Sequence, residues 1–299
     1  MKLLVIGRDG QLARGILENA DRFGIQVISA GRPDTDVTDR NSVEATVARE
    51  QFDAVVNAAA YTAVDKAESE PSVAQAVNAI GAEHVARACA ANSIPIIHIS
   101  TDYVFDGSKD SPYREDDQTG PINAYGRSKL EGEQRVADAC ARHVILRTAW
   151  VHSPWGGNFV KTMLRLAAER PAVSVVGDQQ GSPTYAPHLA EAVLAIARRA
   201  IADPAGMPWG IYHAVGMGET SWFGVAREIF RCATEYGLPA AEVTAITTAE
   251  YPTPARRPAN SRLNCDRLRQ SFGLELPDWR VGVQDCVARL AQSARNHLS

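Results

Sequence analysis

Tyr125 and Lys129 stand four positions apart in Tyr125-Gly126-Arg127-Ser128-Lys129, the one Tyr-x-x-x-Lys of the chain. With eight Tyr and only five Lys among 299 residues, chance would supply about 0.13 such pairs. On a helix, residues at i and i+4 share a face about 5–6 Å apart, so the ammonium can lie beside both the phenol and a cofactor ribose. A free phenol titrates near 10, and a neighbouring cation favours its ionised form, which makes Tyr125 a better proton donor to a developing alkoxide. Upstream, Ser100-Thr101-Asp102-Tyr103 closes a β-rich run. Thr101 is preferred over Ser100 as the hydroxyl that bonds a substrate carbonyl and the phenol. Thr101, Tyr125 and Lys129 would reduce a ketone without a metal or a covalent nucleophile, and no His, Asp or Glu spacing suggests a metal site.

Hydride transfer also needs a dinucleotide held nearby, and the first half of the chain has elements for one. Short apolar runs at 2–6, 25–29, 54–57, 94–100 and 143–146 alternate with helical stretches such as 72–91. Strands apolar at consecutive positions belong to a parallel sheet covered on both faces. The predicted fold is a Rossmann-type, doubly wound α/β domain over residues 1–150, with segments near 186–215 returning to it. A smaller C-terminal α/β substrate domain takes 151–299, where Pro- and Gly-rich loops at 153–157, 177–187, 203–210 and 251–258 interrupt the helical patterns.

Strand one runs into Gly7-Arg8-Asp9-Gly10-Gln11-Leu12-Ala13. Glycines at 7 and 10 permit a tight turn and close backbone approach to a pyrophosphate, and the free N–H groups of the helix opening at Gln11 and Leu12 supply an anion site. Arg32 stands after strand two, where an acidic residue would select NAD, and a guanidinium suits a 2′-phosphate. NADPH is thus favoured, with NADH compatible. Asp36 and Val37 are placed near the adenine. Ala58-Ala59-Ala60-Tyr61-Thr62 follows strand three at the position of the ligand crevice.

The net charge of −4 gives no general attraction to nucleic acid or anionic membrane. Five widely spaced cysteines without a C-x-x-C argue against a disulfide framework or zinc site and for a reducing, cytoplasmic setting. The start of the chain lacks a signal-peptide pattern, and no run of 18 apolar residues suggests a membrane span.

The stretches 7–12, 57–65 (NAAAYTAVD), 100–107 (STDYVFDG), 123–132 (NAYGRSKLEG), 147–150 (RTAW), 177–184 (GDQQGSPT) and 256–263 (RRPANSRL) resemble the extended short-chain dehydrogenases and, within them, the dTDP-4-dehydrorhamnose reductase family. That resemblance implies NADPH-dependent reduction of the C4 ketone of dTDP-4-dehydro-L-rhamnose. Tyr125 would be the proton donor, Lys129 the ribose ligand, Thr101 and Asp102 substrate contacts, and Trp150 a surface for the sugar. Arg256 and Arg257 lie in a stretch, 251–269, with five Arg and one acid, suited to a diphosphate, with Asn260 and Ser261 adding polar contacts. Similar dehydratases carry Glu where this chain has Tyr103, so the acid for eliminating water is absent. Arg14 and Pro187 replace glutamates that some members place at a Mg²⁺-associated dimer interface, which argues against that metal and that dimer; a homodimer of another kind stays open. Two alternatives remain at this level: another nucleotide-sugar enzyme such as an epimerase, and a non-catalytic NADP-binding regulatory subunit.

Overall fold

The computed structural model describes residues 1–296. Its centre is a six-stranded parallel sheet of β1 (Lys2–Ile6), β2 (Gln26–Ala30), β3 (Ala54–Asn57), β4 (Ile96–Thr101), β5 (His143–Thr148) and an edge strand, Gly210–His213. The spatial order is edge strand, β5, β4, β3, β1, β2. The order reverses between β1 and β3, which is where such sheets open a crevice at their carboxyl ends. Gly7 and Asn57-Ala58 flank that point.

The strand runs are apolar because both faces are covered. Leu3 and Val5 face one core with Leu189, Val193 and Ile196 of the helix Ala186–Ala202. Leu4 and Ile6 face the other with Val85, Ala86 and Cys89 of the helix Gly81–Ala91. Gly15 lets the first helix, Gln11–Asn19, meet the 186–202 helix, since a Cβ there would lie 3.1 Å from the Ala186 carbonyl oxygen. A third core, around Val175, Ile229, Phe230, Trp279 and Val283, joins the helices Phe159–Glu169, Trp222–Glu235 and Trp279–Asn296 to the short strand Ala172–Val176.

Three boundaries differ from the periodicity. β2 starts at Gln26, and β4 starts at Ile96 because Pro95 has no N–H for the ladder. β5 continues through Arg147 and Thr148, whose polar side chains are buried rather than marking a surface turn. The stretch 72–91 is also not one α-helix: Pro71–Gln75 and Gly81–Ala91 are joined by a π-helical segment, Ala76–Ile80. Asn78 in that segment accepts the Tyr61 N–H, and donates to the Tyr61 carbonyl and the Ser128 hydroxyl. The bulge thus ties the loop after β3 to the Tyr125 helix, Ala124–Ala139.

Candidate active site

The Tyr125 helix begins where Asn123 caps it, accepting the Gly126 N–H at 2.7 Å and donating to the Arg256 carbonyl at 2.8 Å. A cap of this kind contributes about 1 kcal/mol, and here it also joins the helix start to the C-terminal part of the chain. Gly126 decides what lies opposite. A Cβ at that position would come within 2.2 Å of the Tyr103 carbonyl oxygen, so only glycine lets the turn after β4 pack against the helix. That contact brings Thr101 into hydrogen-bond contact with Tyr125.

Of the two adjacent hydroxyls, Thr101 donates to Asp102 at 2.9 Å and faces the phenol, while Ser100 donates to Glu133. Lys129 is buried, and its Nζ donates to the Ile99 carbonyl at 2.7 Å and lies 3.5 Å from His98 Nε2. Burial pushes its pKa down to about 8, against an upward pull from the Glu133 carboxylate. The phenol itself differs from the expectation. Burial raises the Tyr125 pKa, the Thr101 hydrogen bond only partly offsetting it, with Asp102 raising it further. Lys129 is turned toward Ile99, so the protein alone keeps Tyr125 firmly protonated, as a proton donor requires.

Asp102 is the unexpected group. Burial raises its pKa to about 6, against hydrogen bonds from Ser261 and Thr101, and its Oδ2 has no partner. Because the folded-state pKa lies above the ordinary value of 3.8, the carboxylate is not penalised below about pH 4, and its charge weakens the fold increasingly as pH rises through 6. Asp102→Asn is therefore expected to be more stable than the parent at pH 8 by about 1–3 kcal/mol. Urea unfolding at pH 8 and pH 4 checks this, since the advantage must vanish at the lower pH.

A cavity of about 590 Å³ opens above these groups. Its walls include Gly10, Gln11 and Leu12 at the start of the first helix, Ala58, Ala60 and Thr62 after β3, and Trp150. Gly10 caps that helix without a side-chain hydrogen bond, leaving its first N–H groups for an anion. Gly7 has φ +123°, and a Cβ would sit 2.8 Å from the Ala58 carbonyl carbon, so its small size serves the approach of two loops. Thr148 contributes a buried hydroxyl without a partner at the same wall. These features fit a dinucleotide: an uncapped helix start for phosphate, walls of small residues, and a polar group awaiting a ligand.

Other expected residues lie elsewhere. Ala59 packs on the second core and Tyr61 donates to Glu70 at 2.6 Å, away from the cavity. Val37 is also buried in that core, Asp36 accepts from Thr38, and Arg32 is exposed beside Asp36. Arg8, unremarked in the sequence, pairs with Asp34 on this rim. Gln11 accepts from Ser153 and Asn158, tying the first helix to the loop after β5. Asn260, expected to add a polar contact to the ligand, here donates to the Lys109 and Ser111 carbonyls and accepts from Arg262. Ser261 does reach Asp102.

Arg257 forms a two-pronged pair with Asp65, at 2.8 and 2.9 Å, and lines a second cavity of about 790 Å³ with Phe159, Val175 and Trp222. Arg256 is exposed beside it. Trp222 borders both cavities and stacks on Trp150 with ring centres 3.7 Å apart. Sequence reading missed Trp222, although a Trp opening a helix directly after Thr220-Ser221 was a visible signal. Trp150 has φ +50°, a backbone shape rare for a bulky residue. Its ring lies over Gly181, where a Cβ would approach within 2.5 Å.

Known proteins are similar to this chain over nearly its whole length. A dTDP-4-dehydrorhamnose reductase of Sinorhizobium fredii is 50% identical over 287 residues, covering 96% of this chain and 97% of its own. One from Escherichia coli is 44% identical over 296 residues, covering 97% and 98%. The crystal structure of the Bacillus anthracis dTDP-4-dehydrorhamnose reductase in complex with NADP superposes with a TM-score of 0.90 at 34% identity, covering 96% of this chain and 99% of that one. The RmlD substrate binding domain profile matches residues 1–292, and the chain belongs to that family.

Proposed function

We propose that this protein is an NADPH-dependent oxidoreductase that reduces the C4 ketone of dTDP-4-dehydro-L-rhamnose to dTDP-L-rhamnose. The observation that carries the reading is the convergence of Thr101, Tyr125 and Lys129 on one cavity between an uncapped helix start and the Trp150–Trp222 stack. Bound NADPH supplies the hydride. Thr101 and Tyr125 orient the ketone oxygen, and the phenol O–H bond breaks as its proton passes to the oxygen that becomes the alcohol. Lys129 is within the same pocket to hold the ribose and to offset the phenolate left behind. Asp102 and Ser261 face the sugar, Trp150 stacks along it, and Arg257, held by Asp65, lies toward the diphosphate with Arg256 at the rim.

Residues 1–150 with 186–215 hold the cofactor in this reading, and the remainder holds the nucleotide sugar. Arg32 and its neighbour Arg8 give the 2′-phosphate two guanidinium groups, which favours NADPH. All five cysteines are free thiols, consistent with work in the cytoplasm, and among the described residues no helix is long and apolar enough to cross a membrane. Arg14 on the first helix and Pro187 in the first turn of the 186–202 helix carry no carboxylate to ligate Mg²⁺ at these two positions.

The test is NADPH oxidation with dTDP-4-dehydro-L-rhamnose beside its UDP and GDP analogues. Stoichiometric consumption with the dTDP sugar, at least about tenfold faster than with the others, is expected. Turnover of the sugar without net NADPH loss would instead identify an epimerase, and NADPH binding without any turnover would identify a regulatory subunit.

A further inference from the structure

A group outside the cavity sits behind the reacting residues. Glu133 lies one helical turn beyond Lys129, and its side chain is 3% exposed. One carboxylate oxygen accepts from Arg147 Nε at 2.9 Å and from the Ser100 hydroxyl, and the other accepts from Arg147 Nη2 at 2.7 Å. Ser100 stands between Ile99, whose carbonyl receives Lys129, and Thr101, which meets Tyr125. Arg147 is on β5, paired with Ser100 across the ladder. One buried carboxylate therefore fixes the Tyr125 helix to the carboxyl ends of both strands that shape the site.

We propose that Glu133 is a positioning residue for the reduction: through Ser100 and Arg147 it sets the placement of Lys129 against Ile99 and of Thr101 against Tyr125. The proposal rests on the reductase reading above. The charged and titratable groups that bear on Lys129 are few. His98 and Asp102 belong to β4 and the turn after it, Tyr125 and Glu133 to its own helix, and Arg147 to β5. Glu115 and His213 lie beyond Arg147, the Glu115 carbonyl accepting from its Nη1 and the His213 ring feeling its charge. His98 is held neutral by burial, with Lys129 adding to the effect; Glu131 is nearer in sequence but pairs with Arg135 toward the surface, and Glu133 is the anion whose charge registers on Lys129.

Loss of that charge should let Lys129 release its proton at lower pH, by about one pH unit. Glu133→Gln alone would leave Arg147 unpaired and threaten folding, so the double variant Glu133→Gln/Arg147→Met is used beside it, with Ser100→Ala as a variant that keeps the charge. The scarcity of lysine makes the direct readout simple. Five Lys side chains labelled with ¹³C at Cε give few NMR signals, and Lys129→Met assigns the relevant one. In the parent the Lys129 signal should titrate near pH 8.

In Glu133→Gln its midpoint should fall by about one unit, and the alkaline limb of kcat should move with it. In the double variant, which loses the Arg147 cation together with the anion, the midpoint should stay closer to the parent's while kcat still falls because the tie from the helix to both strands is gone. Ser100→Ala should lower kcat by about tenfold with the limb and the NADPH dissociation constant unchanged. An unmoved Lys129 midpoint in folded Glu133→Gln, or a kcat within twofold of the parent's in Ser100→Ala or in the folded double variant, would overturn the proposal. Failure of the parent to oxidise NADPH would count against the reductase reading instead, while the NMR titration would still decide the charge effect of Glu133.

Discussion

Tyr125→Phe is expected to lose about 10²–10⁴-fold in kcat while binding NADPH within a few-fold of the parent. The substitution removes one oxygen from a ring that remains packed, with Tyr103 edge-on at 5.6 Å and Ala67, Ala74 and Ala124 around it. Lys129 makes its bond to the Ile99 carbonyl without help from the phenol, so the ribose side of the pocket should survive. The removed group is the proton source, and the structure keeps that source protonated through burial. NADPH affinity from fluorescence quenching and single-turnover NADPH oxidation with the dTDP sugar would separate the two effects. Retention of more than about a tenth of parental kcat would show that Thr101 or water supplies the proton. Thr101→Val should lower kcat less, because the phenol stays in place.

Positions whose chemistry depends on local pattern were readable from the chain. Tyr125 and Lys129 lie on one helical face because the helix spans both, and Gly7 and Gly10 follow a strand whose apolar run is continuous. The partners that make the site work are joined across long separations, and no period reports them. Gly126 is a helix residue like any other until Tyr103 is seen 2.2 Å from where its Cβ would be. Trp222 meets Trp150 across 72 residues, and Arg257 meets Asp65 across 192.

The apolar run 143–146 also stopped short of a buried charge in the same strand. Arg147 ends a run that reads His-Val-Ile-Leu, and a charge after such a run looks like the surface end of a strand. It is buried because Glu133 awaits it from the helix above. The reverse occurred at Asn260, Tyr61 and Asp36, where polar side chains beside ligand-facing segments bond to the protein itself. A buried polar group left without a partner is the clearer mark of a ligand contact, as at Asp102 and Thr148. Counting hydrogen bonds needs coordinates.

Arg147→Met is expected to destabilise the protein by about 3–5 kcal/mol. The methionine fills similar space, so packing against Phe105, over which the guanidinium now lies at 5.0 Å, is largely kept. What changes is the state of Glu133, a carboxylate with two charge-assisted bonds from Arg147 and nothing but the Ser100 hydroxyl to replace them. An unpaired buried charge costs more than the pair ever contributed. Removing that charge as well should recover most of the loss, so Glu133→Gln/Arg147→Met should lie within about 2 kcal/mol of the parent. Urea unfolding of the parent, both single variants and the double variant gives the coupling directly. Additive losses would mean that each side chain is held by its own surroundings; strong recovery in the double variant would show that the protein tolerates losing the pair far better than losing its cation alone.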